Sequence, residues 1–324
     1  VDALDRDSET YALDLLTLVE SILEDPDVVL WKQVDRAKDL KMAEMKAQGM
    51  QYEDRIAELE KVTYPKPNAE FIYGTFAAFA EKHPWVANED IRPKSVARDM
   101  FERMESFPDY IIEYGLQRSE GVLLRYLSEC YRALAHTVPE SARDERVDDI
   151  LAHLRATIRS VDSSLLDEWE SIRTGEPVKE KDGAPLPPEI LAPDDPRRLL
   201  ADPKAFAARV RNDLHRLLKA VANKKWSDAL ASVRALEGEP EWTAESLAKA
   251  LEPYFAEHAF IDLKPTARLP HNTVLTRLEE RRYEAIQKIV DPEGETDWML
   301  DCIIDLGGPV PEGTPLIALR RIGT

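Results

Sequence analysis

The sequence predicts two folds in succession: an all-helical N-terminal part, then an α+β part whose helices pack on a curved antiparallel sheet. Three observations predict this. Up to about residue 172 the apolar residues recur at helical spacing, with no strand alternation. Between residues 174 and 203 lie seven of the 22 prolines, Pro177, Pro185, Pro187, Pro188, Pro193, Pro196 and Pro203, too many for a helix or a sheet ladder to continue. Beyond them the pattern runs through further helices into period-two strands. The expected organisation is therefore a helical domain over 1–173, a proline-rich linker over 174–203 and an α+β domain over 204–324.

Taken in order, residues 8–25 carry Leu13, Leu16, Leu18, Val19, Ile22 and Leu23 at helical spacing, with Asp7 or Ser8 as cap. Pro26 restarts the chain into a helix over about 28–48, and Gly49 is placed to close it with positive φ. A third helix covers about 52–62. The Tyr64-Pro65-Lys66-Pro67 step is extended, because each proline restricts the residue before it. In the aromatic-rich helix over 68–82, Phe76 and Phe79 read as a core pair. Pro93 suits a first helical turn, so a helix is expected to about Glu105, with Lys94 and Arg98 four apart on its surface. A short helix follows Pro108.

The stretch from Tyr114 to about His136 reads as a break followed by a helix, with Ser119 as its cap. At 100° per residue, Leu123, Leu127, Cys130 and Leu134 form one stripe. Arg118, Arg125 and Arg132, spaced by seven, form a row on the opposite side. Two readings of the row remain open. Glu129 lies within four residues of Arg125 and Arg132, which suits a solvated face of weak pairs. The alternative is a row of guanidinium groups facing the phosphates of a bound strand. Residues 141–172 form a long helical stretch broken near 160–164.

After the linker, residues 205–222 turn Phe206, Val210, Leu214, Leu217 and Val221 inward, with Arg209, Arg216 and Lys219 pointing away. Eight Lys and Arg against Asp213 and Asp228 between residues 204 and 234 make this a second basic face, for a nucleic acid, a protein partner or solvent. A helix over 243–257 precedes strands at 260–263, 281–290, 298–306 and 316–322, with a turn at Asp291-Pro292-Glu293-Gly294. Trp298, Leu300, Cys302, Ile304 and Leu306 share one face of the third, as expected for a strand covered on one side. This order is similar to NTF2-like cones, an analogy of pattern without a motif. Tyr254, Asp262, Arg268, His271 and Trp298 are the residues placed to line a pocket if the cone is open.

No run of 18 apolar residues and no secretory pattern occurs, so a cytoplasmic protein without a membrane span is expected. Val1 already falls in a helix-like pattern, which suggests a fragment. Cys130 and Cys302 sit in apolar stripes and read as reduced core thiols. The net charge of −19 argues against a general polyanion binder. Residues 91–132 are nonetheless neutral, while residues 1–90 carry −10. Any nucleic-acid contact is thus confined to a groove.

Catalytic motifs are absent. No Gly-x-x-x-x-Gly-Lys-Ser/Thr loop cradles phosphate, and no Gly-x-Ser-x-Gly elbow carries a nucleophile. Asp167-Glu168-Trp169-Glu170 has the letters of an Asp-Glu box without the preceding buried strand, and reads as a solvated helix end. None of the six histidines pairs with another at i+3 or i+4, and no Cys joins them at metal spacing, so no metal ion is expected.

Ile91-Arg92-Pro93-Lys94-Ser95-Val96-Ala97-Arg98-Asp99-Met100, Tyr114-Gly115-Leu116-Gln117-Arg118-Ser119-Glu120-Gly121-Val122-Leu123-Leu124-Arg125-Tyr126-Leu127 and Val161-Asp162-Ser163-Ser164-Leu165-Leu166-Asp167-Glu168-Trp169-Glu170 carry a family resemblance. Together they resemble the C-terminal region, a domain of unknown function, of bacterial DEAD/DEAH-box superfamily-2 helicases related to the Ski2-like group. The likeness runs from Tyr11-Ala12-Leu13-Asp14 to the last strand and is strongest over about 60–170. It implies an ATP-driven RNA or DNA helicase as parent, with ATP and magnesium held by upstream motor domains and no cofactor in this segment. The helical part would pack on the motor and guide a single strand past Arg118, Arg125, Arg132, Lys94 and Arg98. The alternatives are a protein-interaction platform, homodimeric through the C-terminal domain, and a small-molecule enzyme in the cone.

Overall fold

The computed structural model describes residues 3–86, 89–161, 200–308, 310–311 and 313–324. The expected linker, apart from its last four residues, and the string 167–170 lie outside the described residues. Two compact units form, Val1–Arg143 and Asp144–Thr324.

The first unit is helical: α1 (Tyr11–Ser21), α2 (Asp27–Ala47), α3 (Tyr52–Glu60), α4 (Ala69–Lys82), α5 (Ala97–Glu102), α6 (Phe107–Tyr114) and α7 (Glu120–Thr137). Leu123, Leu127, Cys130 and Leu134 of α7 are buried, as their stripe requires, with α1 packed against α7 and α5. Glu20 of α1 is buried among these helices. Its carboxylate accepts the backbone N–H groups of Val96 (2.7 Å), Ala97 (2.9 Å) and Arg98 (3.1 Å) and the hydroxyl of Tyr126 (3.0 Å). Val96 gives α5 no side-chain cap, so a carboxylate from another helix satisfies its first donors. Burial raises the Glu20 pKa, and these four donors oppose the rise.

Three local expectations fail here. The helix expected from Pro93 begins only at Ala97, with residues 93–96 outside it and the Val96 N–H donated to Glu20. Ser119 makes no capping bond to α7. In α4 only Ile72 is buried, while Phe79 is exposed, so the expected Phe76–Phe79 core pair does not form.

The second unit contains α8 (Glu145–Arg159), α9 (Pro203–Ala222), α10 (Trp226–Ala231) and α11 (Ala244–Glu257), then β1 (Thr273–Arg277), β2 (Arg282–Ile289), β3 (Trp298–Asp305) and β4 (Ile317–Gly323). The strands form an antiparallel sheet in the order β1-β2-β3-β4. The fold class is thus helices followed by α+β, as the sequence predicts. Thr243 starts α11 with a capping box. Leu214, Leu217 and Val221 of α9 and Leu247 and Leu251 of α11 meet Leu300, Cys302, Ile304 and Leu319 of the sheet in one core.

The other side of α9 packs on α8. This places α8 in the second unit, ahead of the division expected at residue 174. The strand expected at 260–263 does not form; Asp262 N–H donates to Val290 O at 2.9 Å, and the ladder goes no further. β1 and α10 are elements that the sequence pattern does not announce. The outer face of β3 is covered as well. A bulge opposite Asp301 and Cys302 inserts Arg320, which binds Asp301 (2.8 Å) and Glu284. Cys130 and Cys302 are free and buried, and burial pushes both thiol pKa values up. Among the described residues no helix is long and apolar enough to cross a membrane.

Candidate functional site

Arg118, Arg125 and Arg132 are all exposed, Arg118 in the turn before α7 and the other two on the helix. Arg125 Nε lies 2.9 Å from Glu129 Oε1 and its Nη2 lies 3.8 Å from Glu24 Oε2. Water screens such exposed pairs, so they do not prevent the guanidinium from exchanging partners. Lys94 is different. It sits ahead of α5, is fully buried, and binds Asp25 Oδ1 (2.8 Å) and the carbonyls of Leu23 and Arg92. The expectation that it lies on a helix surface is corrected: the late start of α5 removes it from that face. Arg98 is on α5 but mostly buried, held by Asp14 (3.1 Å), Glu102 (3.0 Å) and the Thr17 hydroxyl (2.9 Å). Neither side chain stands out from the surface.

The second basic face is also largely internal. Only Arg216 is exposed; Lys219 is half-buried, and Arg209 lies 3.5 Å from Asp213 while donating to Thr314 O. Part of the reason is α8, which covers the polar side of α9 where Arg211, Asn212 and His215 are buried. Arg211 Nε donates to Asp149 Oδ1 of α8 at 2.7 Å. Burial still pushes the Asp149 carboxyl up to about 7 against the pull of Arg211. Asp213 accepts Leu316 N–H at 2.8 Å, tying α9 to the approach to β4. His153 of α8 belongs to the same layer. Burial, then the Arg268 charge, lowers its pKa to about 3. Burial, Arg268 and Arg211 hold His215 well below 6.5. Both imidazoles are neutral in the fold, sealed between two helices and a 3-10 turn, Pro265–Arg268.

The five expected pocket residues do not converge. Arg268 joins the α8–α9 layer, its Nε donating to Leu263 O at 3.0 Å, and His271 is exposed on another 3-10 turn. Tyr254 is a core residue whose hydroxyl donates to Phe260 O (3.1 Å), with Trp298 edge-on at 5.6 Å. Asp262 is half-buried nearby, bonded to Val290.

A residue with no signal in the sequence pattern completes this end of the sheet. His258 follows α11 directly, and its ring lies 4.9 Å from that of Tyr254. His258 Nδ1 is 3.2 Å from Glu293 Oε2 and 3.7 Å from Asp291 Oδ2. Asp291 is aimed by the β2–β3 turn: its Oδ1 accepts Glu293 N–H (2.9 Å) and Glu295 N–H (2.8 Å). Ligand atoms from the three side chains lie within 4.8 Å of one another, so this group is able to hold a cation. A search for closely spaced histidines misses it, because His258 and Glu293 are 35 residues apart.

On the first unit an aromatic ridge is open. Trp31, Tyr73, Phe79 and Trp85 are between 46% and 76% exposed. Trp31 and Tyr73, with Tyr64, Lys66 and Arg92, also line a cleft of about 450 Å³. The His83 ring lies tilted against Phe79 (4.3 Å) with Trp85 edge-on to it (6.3 Å), which carries the aromatic surface off the end of α4.

Compared with the known families, residues 1–322 match the one described as Domain of unknown function (DUF3516). No curated protein and no solved structure matches the chain.

Proposed function

The chain belongs to that family of domains of unknown function, and from this premise we propose that it is the C-terminal accessory region of an ATP-dependent superfamily-2 RNA or DNA helicase, acting in the cytoplasm. The aromatic side of α4 docks on the motor domains, and the arginines of α7 guide the single strand. ATP and magnesium belong to the motor. The observation that carries the docking is α4 itself: a helix rich in Phe, Tyr, Ile and Ala with one buried side chain. Exposed apolar patches of this kind mark interaction surfaces. The motor is chosen as occupant because the resemblance of residues 91–100 and 114–127 is to regions that follow such a motor.

Sedimentation of the chain with the separately produced motor domains tests this. Wild type is expected to co-sediment, and the double substitution Tyr73→Glu, Phe79→Glu to weaken association at least tenfold while leaving the chain folded, because both side chains are exposed. Equal association of the two proteins would overturn the docking.

A second reading, homodimerisation through the C-terminal unit, has one observation in its favour. β1 is an edge strand with Val274 and Leu278 exposed at and beside it. A dimer of the chain alone that Val274→Lys disperses would favour it. The third reading, a small-molecule enzyme in the cone, gains no support: core side chains of α9 and α11 fill the inner face of the sheet.

A further inference from the structure

We propose that His258, Asp291 and Glu293 form a binding site for one zinc ion. The donor set is one imidazole nitrogen and two carboxylate oxygens, a combination that zinc accepts with a fourth position left to water. Ligands held about 2.0–2.1 Å from a tetrahedral zinc stand roughly 3.3 Å from one another. The 3.2 Å and 3.7 Å separations from His258 Nδ1 are close to that spacing, and the carboxylate oxygens of Asp291 and Glu293 lie within 4.8 Å of each other.

Three features go beyond a surface ion pair. Two backbone N–H groups grip one Asp291 oxygen and aim the other at His258, the outer-shell orientation that metal ligands show. The His258 ring is set by its contact with Tyr254. Asp291 is also buried, with a second carboxylate brought against the same imidazole nitrogen. A single N–H can serve only one of two acceptors well, whereas a dication satisfies both.

The test is calorimetric titration of the whole chain, freed of metal by a chelator, with zinc chloride near neutral pH. Wild type is expected to bind one equivalent, and both His258→Ala and Glu293→Gln to lose at least tenfold in affinity. Glu293→Gln keeps the outcome independent of folding, because that side chain is exposed. Saturating zinc should also raise the melting temperature of wild type and not that of the variant. Absence of binding by wild type, or affinity unchanged in Glu293→Gln, would overturn the site.

Discussion

At Lys94 a positive charge is held inside the protein. The carbonyls of Leu23 and Arg92 accept two of the ammonium's three N–H donors, and Asp25 Oδ1 balances its charge as an ion pair at 2.8 Å. The sequence offers a lysine beside Pro93 and cannot show that Asp25 is folded against it. His215 presents the same difficulty with a different outcome. It reads as one more polar residue of a basic helix, and in the fold it is a neutral imidazole under α8. Its pKa is depressed in the fold and near 6.5 in the unfolded chain, so below that pH the unfolded chain binds more protons. Stability from His215 is therefore complete above about pH 6.5 and is lost as the pH falls. Asp149 acts in the opposite sense. Raised to about 7, it keeps its proton where the unfolded chain has released it, and its contribution falls as the pH rises from 3.8 towards 7. Comparing wild type with His215→Asn separates the two. In urea unfolding, any stability advantage of wild type should shrink by roughly 2 kcal/mol between about pH 7 and about pH 5. A difference that stays constant with pH would show that His215 is not held neutral.

At the scale of elements, apolar stripes are the legible part. The buried faces of α7 and α9 are those their 3.6-residue periods require. The opposite faces are not legible, because exposure depends on what covers a helix. The polar face of α9 is covered by α8, whose own stripe of Val147, Ile150, Leu154 and Ile158 is the signal in the sequence for that cover. The polar face of α7 stays open, so its arginine row is still the candidate strand contact. If the proposed parent is a helicase that uses this row, replacing Arg118, Arg125 and Arg132 together by Ala removes up to three phosphate contacts. The slope of log K against log salt for a single-stranded oligonucleotide should then flatten by about 2. An unchanged slope would remove the row as a strand contact. In α4 the period gives the helix correctly, but the face it marks is not core. An apolar stripe says that a surface seeks cover without saying whether the cover lies in the same unit.

For the whole molecule, the succession of helices and then a sheet is written in the change of hydrophobic period. Where the compact units divide is not. α8 follows the first helices without any break in composition, yet its buried Asp149 pairs with Arg211 of α9, so the second unit begins at Asp144. The His258 constellation is likewise a product of tertiary structure, assembled from a helix end and a distant turn. The proposed function requires above all that a helicase motor cover this chain along α4. Hydrogen exchange of residues 69–82 reads that cover, in the chain alone and in the chain joined to the proposed motor domains. Exchange across 69–82 should be markedly slower when the motor is present. Identical exchange in the two proteins would contradict the docking and the function built on it.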